Sequence, residues 1–154
     1  MFKLRVPYPD SASLRALLDV SLDAEPANSL PAVLEPSEVP AIAALCRSVL
    51  VAERCKQAAI ALVLATQPSI SKDDSSARQH IRYGASPRAL QSLIRAARVR
   101  AVMSGRSHLD VEDLAAVALP TLRHRVLLRL ESELEGLDAD TVLAGVVDQW
   151  RRES

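Results

Sequence analysis

The segment Tyr83-Gly84-Ala85-Ser86-Pro87-Arg88-Ala89 gathers the residue types most able to do chemistry in this 154-residue chain. Ser86 and Pro87 mark a helix start: a hydroxyl at the N-cap, then a proline where a missing N–H costs nothing. The free amides of such a start carry partial positive charge. Gly84 permits a turn that a side chain would obstruct. Arg88 falls at the second helical position, where the helix dipole disfavours a cation. An arginine placed against that preference is suited to meeting an anion. The plainer alternative is an ion pair with a nearby acid such as Asp73 or Asp74.

Other chemistry has little to stand on. The chain has no phosphate-binding G-x-x-x-x-G-K-[ST], no G-x-G-x-x-G, no G-x-S-x-G and no H-E-x-x-H. His80, His108 and His124 fall on different elements, so no metal site is expected. The adjacent acids Asp73-Asp74 and Glu112-Asp113 read as ordinary solvated capping groups. Cys46 and Cys55 are too few for a disulfide scaffold and read as small core-facing hydrophobes in a reducing compartment. No catalytic residue is assigned.

The elements that position Arg88 must be helical and aliphatic. Hydrophobic residues make up 49% of the chain, and the aromatic residues are Phe2, Tyr8, Tyr83 and Trp150. The longest apolar run, Ala58 to Ala65, is far shorter than the roughly 18 residues of a membrane span. The N-terminus shows no signal-peptide core. A cytoplasmic domain is expected. Lys+Arg and Asp+Glu balance at 19 each, but ten arginines face three acids from Arg78 to Arg129, while acids dominate both flanks. Arginine suits phosphate and carboxylate recognition, though such charges also pair within folds.

Phe2-Lys3-Leu4-Arg5-Val6 alternates with period two and reads as a short strand stopped by Pro7 and Pro9. No second strand is predicted. Asp10 caps a helix to about Val20, and residues 21–37 form a proline-rich connector. Further helices are predicted over 37–48, with Pro40 in the first turn, and 52–66, whose Ala58 to Ala65 stretch is apolar all round and therefore central. Residues 67–85 are expected to form one long polar loop. The helix begun at Ser86 turns Leu90, Leu93, Ile94, Ala97 and Ala101 to one face, with Arg88, Gln91, Ser92, Arg95 and Arg98 opposite. Gly105 ends it. Asp110 and Asp113 cap a short helix to about Ala118, another covers 121–131, and Asp138 caps the last, with Val142, Val146 and Trp150 spaced by four. The prediction is all-α: six or seven helices and an orphan N-terminal strand.

The stretch from Tyr83 to Arg129 resembles the C-terminal lid of MoxR-type AAA+ ATPases. The matching pieces are Gly84-Ala85-Ser86-Pro87-Arg88-Ala89, Arg95-Ala96-Ala97, Gly105-Arg106, Val111-Glu112-Asp113 and Leu122-Arg123-His124-Arg125. Phe2 to Asp10 is similar to the last strand of that family's ATPase core and its exit into the lid. The resemblance implies an AAA+ lid-type helical bundle, with residues 1–9 a remnant of the core and 10–154 the lid, most compact over 37–154. It makes Arg88 the sensor 2 arginine that reaches the γ-phosphate of ATP, with Gly84, Ser86 and Pro87 positioning it. Arg95, Arg98, His124 and Arg125 become possible interface residues.

The resemblance further implies ATP and Mg²⁺ as cofactors only when an ATPase core is present. Its partners would be that core, neighbouring subunits of a probable hexamer, and a von Willebrand A-domain protein, in remodelling of client proteins. The chain holds neither the phosphate-binding loop nor the Mg²⁺ acids of the core, so by itself it is not expected to hydrolyse ATP. Two alternatives remain at this level. One is a nucleic-acid-binding domain using Arg88, Arg95 and Arg98, for which no aromatic stacking platform exists. The other is a stand-alone protein adaptor.

Overall fold

In the computed structural model, residues 2–19, 31–71 and 74–153 are described. Helix α1 (Ser11–Asp19) starts where Asp10 accepts from the Ser13 amide at 2.8 Å. A 3₁₀ turn at Pro36–Glu38 leads into α2 (Val39–Ser48), with a proline in its first turn as predicted. Then come α3 (Glu53–Ala65), α4 (Ser76–His80), strand β1 (Ile81–Tyr83) and α5 (Pro87–Met103). The chain closes with α6 (Val111–Leu122), β2 (Leu127–Leu128), α7 (Leu130–Leu134) and α8 (Ala139–Glu153). Val20, where the first predicted helix ends, and residues 21–30 of the expected connector lie outside the described residues, as do Lys72 and Asp73. No described helix is long and apolar enough to cross a membrane.

The main core is small and aliphatic. Cys55, Ala59 and Leu62 of α3 meet Ala89, Leu93, Ala97 and Ala101 of α5, Leu114, Ala118 and Leu122 of α6, and Leu143 and Trp150 of α8. Alanines at four-residue spacing on α5 allow the neighbouring helices to approach closely. The Trp150 indole N–H donates to the Ala58 carbonyl at 3.0 Å, so the one large aromatic in the core is polar-satisfied. A second cluster joins Ala77, Ile81, Leu128, Val142 and Val146.

Several expectations are corrected. The all-α reading holds for the architecture, but among the described residues there are eight α-helices and a two-stranded antiparallel sheet. The supposed loop over 67–85 contains α4, whose Ser75 cap accepts from the Arg78 amide, and β1. The predicted helix over 121–131 is instead a corner and β2, because Leu128 pairs with Ile81 and both are buried against α8. Helix α6 runs through Pro120 to Leu122; the Ala116 carbonyl loses its helical donor but sits at an exposed position, and burial of Thr121 and Leu122 offsets the loss. Phe2 to Val6 form no ladder: the Lys3 amide donates to the Pro120 carbonyl at 2.9 Å, while Leu4 and Val6 are exposed. Helix α3 is not buried all round, since Ile60 and Leu64 face outward. Cys46 is only partly buried on α2; Cys55 is buried and its thiol reaches the Leu109 carbonyl at 3.3 Å.

The largest correction concerns Asp113. It is not a solvated cap but is 1% exposed. It closes a capping box with Asp110, accepting that residue's amide at 2.9 Å, and receives both terminal nitrogens of Arg106 at 2.5 and 2.7 Å. Arg100 stands 3.4 Å away. Burial pushes the carboxyl upward, but the Arg106 and Asp110 hydrogen bonds outweigh it and hold the group below its usual range. Gly105, at φ +70°, makes the turn that brings Arg106 there: the Gly105 amide bonds the Val102 carbonyl and the Arg106 amide the Ala101 carbonyl. One fork thus ties the end of α5 to the start of α6. Asp113→Asn should lower unfolding free energy by about 2 kcal/mol, because it weakens a buried charge-assisted pair whose arginine can partly rehydrate. Urea denaturation measures this, and an unchanged midpoint would show the fork to be dispensable.

Candidate functional site

Arg88 lies in the first turn of α5, exposed. Among the described residues its guanidinium has no hydrogen bond or ion pair, and Asp74 does not reach it. Ser86 occupies the N-cap position in extended conformation, as predicted, yet its hydroxyl makes no capping bond. The first turn therefore presents an unpaired cation beside amides that lack a side-chain acceptor.

What aims this turn is the C-terminus of α3. Thr66, fully buried, donates its hydroxyl to the Val63 carbonyl at 2.7 Å and accepts the Ala85 amide at 2.9 Å. The Gln67 side-chain amide donates to the Ala85 carbonyl at 2.8 Å. Both backbone groups of Ala85 are thereby clasped. Gly84 has no positive φ; its requirement is space, since a Cβ there would collide with the Thr66 carbonyl and the Gln67 side chain. The glycine expected to serve a turn thus serves a close approach. Thr66 and Gln67 were not singled out from sequence. Their only local signal is that polarity returns there after the apolar run.

Beside Pro87 lies a shallow apolar cleft of about 190 Å³, lined by Ile60, Val63, Leu64, Ala85 and Leu90. One turn along α5 from Arg88, the Ser92 hydroxyl donates to the Arg88 carbonyl at 3.0 Å and accepts from Arg125 Nη2 at 3.1 Å. Arg125 also donates through Nε to the Thr121 carbonyl at 3.1 Å. So Arg125 is tied through Ser92 to the backbone of Arg88, although 37 positions separate the two arginines in sequence.

The other candidates are distributed differently. Arg95 is exposed and lines a groove of about 490 Å³ with Phe2, Val99, Met103 and Pro120. Arg98 is partly buried, its Nε enclosed without an acceptor. His124 has both ring nitrogens enclosed and unpartnered. Burial lowers its pKa, and the positive charges of Arg125, Lys3 and Arg123 lower it further. Arg123 is neutralised by Asp140 at 2.9 Å.

Residues 73–144 match the AAA lid domain family. Over 96% of its length the chain is 25% identical to the uncharacterized protein YeaC of Bacillus subtilis, covering 43% of that protein. Over 48 residues, 31% of the chain and 14% of the relative, it is 50% identical to the protein MoxR of Methylorubrum extorquens. A crystal structure of a protein assigned as an ATPase, from Cytophaga hutchinsonii, superposes with a TM-score of 0.82 at 26% identity, over 96% of this chain and 45% of that one. The chain thus spans less than half the length of these relatives. Fold and matched segment together define an AAA lid domain. More narrowly, that matched segment and the fold are similar to the C-terminal lid of the MoxR-type AAA+ ATPases.

Two measurements test this geometry. Gly84→Ala should cost roughly 1–3 kcal/mol in urea unfolding, because a backbone carbonyl has to give way; a neutral substitution would mean the clasp is looser than its distances imply. The depressed His124 pKa leaves the unfolded chain, near the ordinary 6.5, the better proton acceptor. Stability from this group is therefore full at pH 7.5 and declines as pH falls below that value. Comparing unfolding midpoints at pH 7.5 and 5.5 in the native chain and in His124→Asn should show a smaller loss in the variant.

Proposed function

We propose that this lid reports nucleotide state, with Arg88 acting as the sensor that meets the terminal phosphate of ATP held by a AAA+ core. The observation that carries the reading is the Arg88 guanidinium, unpaired among the described residues and set against the helix dipole on a turn that Thr66 and Gln67 hold in place. Such an exposed cation is free to take an anion that arrives. Gly84, Ser86 and Pro87 position it. The cleft beside Pro87 supplies an apolar face next to that cation.

The residues fit only part of a nucleotide site. A guanidinium can take a phosphate, but among the described residues no three His, Cys, Asp or Glu side chains gather as a metal site. ATP and Mg²⁺ would therefore be held mainly by a core domain, which supplies the positioning that phosphoryl transfer needs. In this reading residues 1–9 are the exit from that core and 10–154 the lid. Arg95 and the groove around Phe2 and Met103 offer a surface to a neighbouring subunit of an oligomeric, in this family hexameric, ring. Remodelling of client proteins with a von Willebrand A-domain partner follows from the same family membership, as does a cytoplasmic setting.

The test joins the lid to a MoxR-type ATPase core. Arg88→Ala should cut ATP turnover on the order of 100-fold, as loss of a transition-state charge partner does elsewhere. Assembly, followed by light scattering, should be unchanged. Turnover equal to that of the parent would remove Arg88 from the sensor role.

A further inference from the structure

Helices α5 and α6 leave between them an outward groove of about 490 Å³, which Phe2 also lines. Its walls are apolar: Val99 and Met103 of α5 and Phe2 are all exposed there, beside Pro120 of α6. Two arginines border them. Arg95 is exposed and has no acidic partner among the described residues. Arg100 leans on Asp113 at 3.4 Å but keeps half of its side chain exposed. Exposed apolar side chains rimmed by charge of one sign mark a surface made for a partner.

A surface of opposite character lies on α2. That helix packs against α5, with Ala43 and Cys46 partly buried, yet it has no fully buried residue. Glu38 at its N-cap, Ile42 and Leu45 follow at i, i+4 and i+7, share one flank and are exposed. Glu35 stands just before them, and neither glutamate forms an ion pair among the described residues. The Glu38 carboxylate accepts the Glu35 amide at 2.8 Å, which fixes it at the helix start. Arg47, the cation of this helix, falls by helical spacing on the opposite side. No α2 residue lines the groove, so within one chain the two surfaces do not meet.

We infer that the Glu38, Ile42 and Leu45 flank of α2 docks in the α5–α6 groove of a second copy of this chain. This rests on the reading of the groove as a surface for a neighbouring subunit, and it names the occupant. The spacings agree: Arg95, Val99 and Met103 span about 12 Å of α5, and Glu38, Ile42 and Leu45 about 11 Å of helix. With the two helices parallel, Glu38 meets Arg95 while Ile42 and Leu45 lie over Val99 and Met103. The apolar anchors seat the helix, and the carboxylate at the rim sets its register and direction. Each copy thus offers its helix flank to one neighbour and its groove to the other, a heterologous contact of the kind that closes a ring. One helix in one groove is smaller than a standard interface, so the chain by itself associates weakly.

The test follows self-association of the isotopically labelled chain from micromolar to millimolar concentration, by sedimentation velocity and backbone amide signals. Amides of residues 38–45 and 95–103 should move together along one concentration curve, with those of α8 still. Arg95→Glu and Ile42→Asp, both at exposed positions, should each weaken association roughly tenfold with the urea midpoint little changed. An equimolar mixture of Arg95→Glu and Glu38→Arg chains should associate more tightly than either variant alone. In that mixture one intact flank meets one intact groove, and the swapped pair is again of opposite charge. Weakening by Arg95→Glu without an effect of Ile42→Asp would overturn the inference, and leave the groove a subunit surface with another occupant. Weakening by Ile42→Asp alone, or a mixture with no gain, would overturn it too, since the contact would not be head-to-tail through this groove. A chain that stays monomeric at millimolar concentration would equally overturn it. Light scattering of the core-joined protein carrying Arg95→Glu then decides the subunit reading separately.

Discussion

The site depends on the clasp between the end of α3 and the backbone of Ala85. A buried threonine hydroxyl normally has to find both a donor and an acceptor, and Thr66 finds both within its reach, the Val63 carbonyl behind it and the Ala85 amide ahead. Gln67 then occupies the Ala85 carbonyl. With both polar groups of Ala85 taken, the chain has one path into Pro87, whose ring fixes φ for the first turn of α5. Gly84 is the residue that lets the two segments come this close. The direction of α5, and with it the place of Arg88, follows from these few atoms.

Electrostatics is arranged around the same helix. At its C-terminal end the Arg106 fork on buried Asp113 joins α5 to α6, and Gly105 supplies the left-handed turn that allows it. Farther out, Arg5 meets Asp138 at 2.7 Å, and the Asp138 carboxyl, lowered to about 2 chiefly by its bonds from Thr141, also caps α8. Arg151 reaches Glu112 at 2.6 Å. These exposed pairs contribute little stability individually. Each of them lies away from the first turn of α5, where Arg88 has no acidic partner among the described residues.

The apolar surface left over has a comparable distribution. Leu17 and Leu18 of α1, Ile42 and Leu45 of α2, and Val99 and Met103 of α5 are exposed. The chain spans less than half the length of the relatives it matches. In the proposed reading, the lid is a rigid body whose inner faces are built here and whose outer faces belong to an assembly.

How much of this the sequence determined depends on distance along the chain. Helix caps were legible because their bonds span three or four residues: Asp10, Asp110 and Asp138 cap as predicted, and Gly105 ends α5. Core faces of α5 and α8 were legible because a four-residue spacing aligns side chains whatever the fold. Arg88 was legible as a cation out of place because the dipole it opposes is local. Pro120 misled, because a proline's local cost was outweighed by the burial of Thr121 and Leu122, which only packing reveals. Asp113 misled for the same reason, its solvation being decided by helices that meet over it. The pairing of Ile81 with Leu128, the clasp of Thr66 on Ala85 and the approach of Arg125 to Ser92 span 47, 19 and 33 positions. Nothing within a helical turn encodes such contacts; they exist only once the helices have packed.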